Sequence, residues 1–469
     1  MGDTSNHVDD EKVLDLAKRA SGIVESVRSE TEGVVHYSAP IIEAQYAGGD
    51  GATVELELDL RDVLAMCAMA RVNVLLPGET RVGKTFTVRK VSAALFGEYN
   101  VTYIPLNAGF DINQLRNINF SKMKDSTLSE GVRPGRALTG PAVIFDELNR
   151  APPPVTNLLH PLLNGDPVVF DGGKTVIPGV ELPEGGRYQW VVAIANIGRG
   201  YLGTFEMDLA ALNRFPVVIP IDNFPRTDDD RLKIMRSAES RGRGNGGDHA
   251  RDVYSIGGEA KSLLRMDPMA ENFLLRLLRQ NQCTRSPAGM KNVLDSFSVS
   301  ETCKSCHALA VDEGICGSVF APGEGAIAKL ADLSRMFALL RISSEAEPEL
   351  RAELRVTVGD VKAVMPLALH LKMGVDGGWI SRYAEGSSWN ATQKASNLAF
   401  AGWLDSMEKL QSAYNEAEEG KPLSDASVSA LLNVARDRPS CVPIEYVKRV
   451  HEEYQQDGGA KSGKAKKCD

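Results

Sequence analysis

Short apolar runs recur through the middle of the chain, with helical patterns and loops between them. The runs are rich in β-branched residues and apolar at nearly every position, as strands buried on both faces of a sheet are. A helix follows the first run, with Val88, Val91 and Leu95 on one face and Gly97 at its end. This alternation predicts a parallel α/β sheet over residues 71–222. Its predicted strands are 72–76, 101–106, 142–145, 190–195 and 216–221.

The pattern is weaker in residues 1–60. Apolar residues within 13–17 indicate a helix. Two runs, at 41–46 and 54–60, flank a glycine-rich turn and predict a hairpin. The second run alternates apolar and acidic residues, which is typical of a strand with one buried face.

The pattern changes again after the sheet. Residues 225–262 are rich in Asp, Arg, Gly and Ser, which predicts a surface connector. The last residues, 458–469, hold four lysines among small residues and predict a disordered basic tail. Between these segments, apolar stripes at helical spacing predict helices around 273–278, 327–337, 357–368 and 400–414.

The composition is that of an ordinary soluble protein of several domains, with 469 residues, 43% apolar and 25% charged. A net charge of −9 and a pI near 5.5 argue against nucleic-acid binding over the whole surface, although a local basic channel stays open. No run of about 18 apolar residues occurs, so we expect no membrane insertion. The polar start is unlike a secretory signal, and seven cysteines do not suggest a disulfide scaffold. We therefore expect a reduced, cytoplasmic protein.

A motif for binding phosphate follows the first predicted strand. The glycines of such a loop let backbone N–H groups turn toward phosphate oxygens, and the next helix adds positive potential at its N-terminus. Lys84 would bring a charge to the β- and γ-phosphates of ATP, and the Thr85 hydroxyl would ligate Mg²⁺. The strand–loop–helix setting favours a nucleotide site over a chance glycine turn. The pattern G-x-x-x-x-G-K-[ST] is matched by Gly78, Glu79, Thr80, Arg81, Val82, Gly83, Lys84 and Thr85.

Polar residues end two further predicted strands. Asp146 and Glu147 follow the run 142–145. A carboxylate at a strand's carboxyl end can hold Mg²⁺ through its water shell, which we expect of Asp146, and Glu147 would orient or deprotonate an attacking water. Asn196 ends the run 190–195, where its amide would contact the γ-phosphate or the water. The alternative for Asn196 is a turn-forming residue.

The sequence around these residues closely resembles the MoxR-type AAA+ ATPases. Phe145-Asp-Glu-Leu-Asn-Arg-Ala-Pro-Pro is similar to the Walker B segment of that family. The resemblance covers about residues 60–375, and no single element of it would be specific. The other matching segments, in the family's order and spacing, are 133–135, 194–196, 203–205, 209, 212–215, 336–340 and 356–362.

The resemblance implies a fold and an assembly. The fold is α/β, a P-loop NTPase AAA+ core with a five-stranded parallel sheet, followed by a helical lid and an extra C-terminal helical region. The assembly is a homo-oligomeric ring, a hexamer, with each site at a subunit interface. Together with the patterns described above, the resemblance predicts these domains: an N-terminal extension at 1–60, the nucleotide-binding domain at 61–224, the lid at 225–376, the C-terminal region at 377–457 and the tail at 458–469.

Arg214 would be the arginine finger that reaches the neighbouring subunit's γ-phosphate, by the same resemblance. A guanidinium in that place stabilises charge in the transition state and is worth about 10³–10⁵ in rate in related phosphoryl transfer. Taken without the resemblance, Arg214 reads as a surface residue near a helix C-terminus, where the helix dipole favours a cation.

Two features depart from the family. The family usually has Gly-Pro-Pro-Gly or a similar sequence in the phosphate loop, and Glu79, Thr80 and Arg81 fill those places here. The place of the family's sensor 2 arginine falls at 323–326, where this chain has no arginine. Lys329 lies one turn later and Arg285 about forty residues earlier, so the sensor 2 residue stays open.

A cysteine cluster lies within a predicted lid insertion at about 283–320. Thiolates separated by two residues suit tetrahedral Zn²⁺, which predicts a structural zinc site with His307 as an alternate ligand. Reduced, scattered thiols are the alternative, and the literal match to a haem-attachment motif fits an exported protein instead. The candidate ligands are Cys283, Cys303, Cys306 and Cys316.

Three functions are compatible with these residues. The resemblance implies a chaperone-like ATPase that remodels or matures a protein client, with a von Willebrand factor A domain protein as partner. A nucleic-acid-directed AAA+ motor is the alternative, and salt-sensitive DNA binding would distinguish it. A small-molecule phosphotransferase is disfavoured, because Asp146, Glu147, Asn196 and Arg214 are suited to activating water rather than an acceptor.

Overall fold

A computed structural model of the protein forms two compact units, Met1–Asp267 with Ala328–Lys372, and Pro268–Ile327 with Met373–Asp469. The first holds the parallel sheet, and the second is mainly helical. The structure describes residues 4–47, 53–80, 82–107, 109–110, 116–118, 132–169, 175–196, 209–236, 250–279, 319–320, 322–344, 354–375, 377–418 and 422–437.

The strands and helices of these residues are numbered along the chain. The strands are β1 (Ile42–Ala47), β2 (Thr53–Leu58), β3 (Val74–Gly78), β4 (Val101–Pro105), β5 (Arg116–Ile118), β6 (Val132–Pro134), β7 (Ala142–Asp146), β8 (Val168–Val169), β9 (Thr175–Val176), β10 (Val180–Glu181), β11 (Arg187–Tyr188), β12 (Trp190–Asn196), β13 (Val217–Val218), β14 (Val319–Phe320) and β15 (Gly374–Val375). The helices are α1 (Thr4–Thr31), α2 (Leu60–Met69), α3 (Lys84–Phe96), α4 (Arg136–Thr139), α5 (Pro153–Asn164), α6 (Leu209–Leu212), α7 (Asp228–Arg236), α8 (Ala250–Leu263), α9 (Pro268–Arg279), α10 (Glu324–Ser344), α11 (Val358–Leu369), α12 (Gly377–Tyr383), α13 (Ser388–Glu418) and α14 (Asp425–Asp437).

The core of the first unit is a five-stranded parallel sheet in the order β13-β3-β12-β7-β4. Every residue of β7 and β12 is buried, which explains why their sequences are apolar throughout. The five predicted strands are confirmed, with shifted ends. The first, third and fourth extend to Gly78, Asp146 and Asn196, and the fifth shortens to β13.

The N-terminal segment packs on this sheet domain. Helix α1 contacts α2, α3 and α8, and its Arg28 donates to both carboxylate oxygens of Asp62, at 2.7 and 2.6 Å. It is longer than the predicted helix, since the weak apolar stripe at 13–17 continues through the buried residues Ala20, Val24 and Val27. The predicted hairpin is confirmed as the antiparallel pair of β1 and β2.

The prediction of a connector at 225–262 was wrong where the structure describes it. Residues 228–236 form α7 and residues 250–263 form α8. The polar composition of this segment obscured the apolar face of α8, on which Val253, Ile256 and Ala260 are fully buried. The glycine-rich stretch at 241–247 lies outside the described residues.

Helix α11 completes the first unit. Thr357 and Asp360 form its predicted start as a capping box, in which each side chain bonds the other residue's backbone N–H. Asp360 also accepts from buried Arg341 of α10, with Nε to Oδ1 at 2.8 Å and Nη2 to Oδ2 at 3.1 Å. The predicted apolar face of α11 is buried.

The second unit is organised around aromatic residues. Phe273 of α9 contacts Phe400 and Trp403 of α13, at ring-centroid distances of 5.6 and 5.2 Å. The Trp403 indole donates to Asn272 Oδ1 at 3.1 Å. In the part of the chain that the structure describes, no helix is long and apolar enough to cross a membrane. The predicted tail at 458–469 lies outside that part, and the predicted domain boundaries stay a prediction.

Candidate functional site

The predicted phosphate loop joins β3 to α3 in the middle of the sheet. Gly83 precedes α3 with φ of 77°, in the left-handed region that favours glycine. Because glycine has no side chain to cap the helix, the first N–H groups of α3 stay available to an anion. The loop therefore has the local geometry expected of a phosphate site. Arg81, also predicted to belong to it, lies outside the described residues.

Lys84 is buried beneath the loop, with 4% of its surface exposed. Its Nζ donates to the carbonyl oxygens of Gly78 at 2.7 Å and Glu79 at 2.5 Å, and to Asn196 Oδ1 at 3.2 Å. Burial lowers the pKa of Lys84, while the nearby carboxylates of Asp222, Asp146 and Glu79 oppose that change. The ammonium group is thus held between the loop and the end of β12.

The two residues predicted to hold Mg²⁺ are in contact. Thr85 Oγ1 donates to Asp146 Oδ2 at 2.9 Å, and the Glu147 backbone N–H donates to Asp146 Oδ1 at 2.9 Å. A hydroxyl and a carboxylate are oxygen donors of the kind that Mg²⁺ takes in nucleotide sites, where water and phosphate complete its shell. The donor set therefore fits a magnesium ion.

Tyr103 is a further member of this site that the sequence did not reveal. Its hydroxyl donates to Asp146 Oδ2 at 2.8 Å. Burial and this hydrogen bond raise the pKa of Tyr103 to about 12, so the phenol stays protonated and remains a donor. The signal in the sequence was slight, because Tyr103 lies in a strand whose pairing with β7 is long-range.

Glu147 and Asn196 lie side by side next to Asp146. Asn196 Nδ2 is 3.5 Å from Glu147 Oε1, and Glu147 Oε2 is 3.3 Å from Arg150 Nη1. Asn149 fixes Asn196 through two bonds: its Nδ2 donates to Asn196 O at 2.7 Å, and its Oδ1 accepts from Asn196 N at 3.1 Å. Glu147 has φ of 57°, a left-handed conformation that is strained for a residue with a side chain. Asn196 thus contacts both Lys84 and Glu147.

Side chains from outside the motif also reach the phosphate loop. The Asp222 carboxylate accepts from the Glu79 backbone N–H. The Tyr37 hydroxyl donates to the Val82 carbonyl oxygen. The Arg226 guanidinium stacks 4.2 Å from the Tyr37 ring centroid and fills the space that a Cβ on Gly83 would occupy. These contacts join distant segments, so spacing along the chain gave no sign of them.

The remaining predicted residues lie on other elements or outside the described residues. Arg214 follows α6 and is half-buried, and its role as a finger stays a prediction. Lys329 lies 3.5 Å from Asp332 on α10. Among the described residues, no group of three or more His, Cys, Asp or Glu could hold a metal ion. The cysteines at 283, 303, 306 and 316, His307 and Arg285 lie outside those residues, so the zinc site also stays a prediction.

Comparison with known proteins adds three findings. Residues 73–215 match the family model of the AAA domain, dynein-related subfamily. The search of curated proteins gave no match. Among solved structures, a candidate ATPase from Cytophaga hutchinsonii matches with a TM-score of 0.51 at 15% identity, over 85% of this chain and 97% of that one. A full-length MCM homolog from Methanopyrus kandleri matches with a TM-score of 0.38 at 14% identity, over 81% of this chain and 62% of that one.

The likeness to the Cytophaga hutchinsonii protein concerns the fold, given the low identity. It agrees with the prediction of a P-loop α/β core followed by helices, which is confirmed. The family match spans the strands β3 to β12, which carry Lys84, Asp146 and Asn196. Fold, phosphate loop and family match together identify residues 73–215 as an AAA+ ATPase domain.

Proposed function

We propose that the protein is a Mg²⁺-dependent ATPase of the MoxR type. It assembles into a homo-oligomeric ring of six subunits and uses ATP hydrolysis to remodel or mature a protein client in the cytoplasm. A von Willebrand factor A domain protein is the partner that the sequence resemblance suggests. The AAA domain at 73–215 supports the nucleotide chemistry, and the resemblance alone supports the subtype, the client and the partner.

One observation carries the nucleotide chemistry: Lys84, Thr85, Asp146, Glu147 and Asn196 meet at the carboxyl ends of three adjacent strands. Gly78 at the end of β3 pairs with Asn196 at the end of β12, and β7 lies on the other side of β12. Ligands of open α/β sheets bind at this edge. Side chains suited to binding phosphate, to holding Mg²⁺ and to activating water therefore surround one place where a triphosphate can lie.

The geometry suggests how these residues divide the reaction. Lys84 exchanges its bonds to loop carbonyls for bonds to phosphate oxygens. Asp146 and Thr85 would hold Mg²⁺, which when bound neutralises charge on the β- and γ-phosphates. Glu147 accepts the proton of a water, and Asn196, fixed by Asn149, holds the Glu147 carboxylate toward that water.

A cavity of about 740 Å³ adjoins the loop through Tyr37, which donates to Val82. Its size lies within the usual range of about 300–1,000 Å³ for small-molecule sites. His36, Ser38 and Asp230 also line it. We propose that it receives the nucleoside part of ATP, so that the phosphates extend onto the loop.

The proposal is tested by phosphate release from purified protein with ATP and Mg²⁺. The wild type should turn over, Lys84→Met should bind ATP about 100-fold more weakly, and Glu147→Gln should bind ATP and release phosphate at least 100-fold more slowly. Glu181→Gln is a matched control, because the Glu181 side chain is 85% exposed. Equal turnover by wild type and Glu147→Gln would reject the assignment. Light scattering from Glu147→Gln with bound ATP measures the mass of the assembly. A protein that stays monomeric under these conditions would reject the proposed ring.

A further inference from the structure

The start of the phosphate loop is held by a carboxylate from another part of the chain. Asp222 lies in a single helical turn, Ile221–Asn223, that follows β13. Its Oδ1 and Oδ2 are each 3.0 Å from the Glu79 backbone nitrogen, so both oxygens accept from one N–H group. A hydrogen bond to a carboxylate is stronger than one between neutral groups.

Close packing makes this contact specific. A Cβ on Gly78 would collide with the Ile221 side chain and lie 2.9 Å from Asp222 Oδ1. The helical turn can therefore approach the loop only because residue 78 is glycine. Asp222 is 143 residues from Glu79 in sequence, so the bond ties the loop to the segment that leaves the last strand of the sheet.

Lys84 holds the same part of the loop through its carbonyl oxygens. Its Nζ donates to the carbonyl oxygens of Gly78 and Glu79, while Asp222 accepts from the Glu79 N–H. When Lys84 turns to the phosphates of a nucleotide, those two carbonyls lose their donor. The bond to Asp222 then remains as the restraint on this segment. A loop without it would have to be ordered at the moment of binding, which costs affinity.

We propose that Asp222 is a positioning residue that holds the phosphate loop in its nucleotide-receiving shape. This inference rests on the proposed function, since it assumes that the loop binds nucleotide. Residues 79 and 80 are not proline, so their backbone torsions are not fixed by a ring. The hydrogen bond from the Glu79 N–H to Asp222 restrains this segment of the loop instead.

The test is a double-mutant cycle on the affinity for a fluorescent ADP analogue, measured without turnover. Asp222→Ala should bind the analogue about tenfold more weakly, from the lower end of the usual worth of a hydrogen bond to a charged group, because Asp222 and Glu79 are exposed. Glu79→Pro removes the backbone N–H that donates to Asp222. In the Glu79→Pro background, Asp222→Ala should therefore cause no further loss. Asp228→Ala is the control, because the Asp228 side chain is 92% exposed and should leave the affinity unchanged.

A second variant separates the hydrogen bond from the charge. Asp222→Asn keeps an acceptor oxygen and should stay within about threefold of wild type, and it decides the matter if Glu79→Pro does not fold. The inference is overturned if Asp222→Ala binds as tightly as wild type, if Asp222→Asn loses as much as Asp222→Ala, or if the loss persists without the Glu79 N–H. In these cases the wild type still binds, so the proposed ATPase survives. A wild type that binds no nucleotide overturns both.

Discussion

Replacing Lys84 by methionine tests the centre of the site, because methionine keeps most of the volume and removes the charge. Lys84 Nζ lies within hydrogen-bond distance of Gly78 O, Glu79 O and Asn196 Oδ1, at 2.7, 2.5 and 3.2 Å. Its three N–H donors are therefore satisfied by the protein, and a triphosphate must take at least two of them. The contribution of Lys84 to ATP affinity is therefore the difference between its hydrogen bonds to phosphate oxygens and its hydrogen bonds to the protein acceptors that it gives up.

The magnitude follows from these contacts. A hydrogen bond to a charged group contributes about 1.5–3 kcal/mol net. Two such bonds to phosphate, each taken at the lower end of this range because Lys84 gives up bonds to carbonyl oxygens, contribute about 3 kcal/mol. Since about 1.4 kcal/mol is tenfold in affinity, Lys84→Met should bind ATP about 100-fold more weakly.

The assay is titration with a fluorescent ATP analogue and Mg²⁺ in the Glu147→Gln background. Lys90→Met, on the same helix, is the matched control and should bind normally. Burial lowers the pKa of Lys84, so this lysine loses its proton at a lower pH than an exposed lysine does. The ATP affinity of the wild type should therefore decrease as pH rises into that range, and the affinity of Lys84→Met should not. An affinity of Lys84→Met within twofold of its parent would show that Lys84 does not bind the phosphates of ATP.

Three further predictions concern strain, proton linkage and assembly. Glu147 has a left-handed backbone at φ 57°, which glycine adopts more easily than alanine. In urea unfolding, Glu147→Gly should therefore be as stable as Glu147→Ala or up to about 1 kcal/mol more stable, although both variants lose hydrolysis. A more stable alanine variant would contradict the strain. Burial lowers the pKa of His370 from 6.5 to about 4. As pH falls between these values, the unfolded chain takes up a proton at this residue and the folded protein does not, so the free energy of unfolding decreases. Between pH 7 and pH 5, His370→Leu should lose about 1–2 kcal/mol less unfolding free energy than wild type, and equal losses would exclude this linkage. Arg214→Ala should be inactive alone and regain phosphate release when mixed with Glu147→Gln subunits; no gain in rings shown to be mixed would count against a finger acting between subunits.

Much of the fold follows from local sequence. The strands of the central sheet are buried on both faces, so their apolar runs stand out, and the phosphate loop is fixed by the spacing of its glycines and Lys84. Asp146 and Asn196 could be located because each ends such a run. Only the strand ends moved, since polar or glycine residues at 78, 146 and 196 continue the backbone ladder beyond the apolar core.

Long-range contacts could not be read from the sequence. Tyr103 reaches Asp146 across 43 residues, and Asp222 reaches Glu79 across 143. Both depend on which strands and turns become neighbours. Helix α8 was missed for a different reason, because its charged and glycine residues mask three buried apolar positions one or two turns apart.

We propose that water cleaves the γ-phosphate of ATP beside Asp146 and Glu147. The most direct measurement is mass spectrometry of the phosphate released in heavy-oxygen water, from wild type and from Glu147→Gln. Phosphate released by the wild type should carry one oxygen from solvent, and the variant should form almost none although it holds ATP. Assembled wild-type protein that releases no labelled phosphate, or a variant that releases it equally fast, would exclude hydrolysis by a water beside these carboxylates.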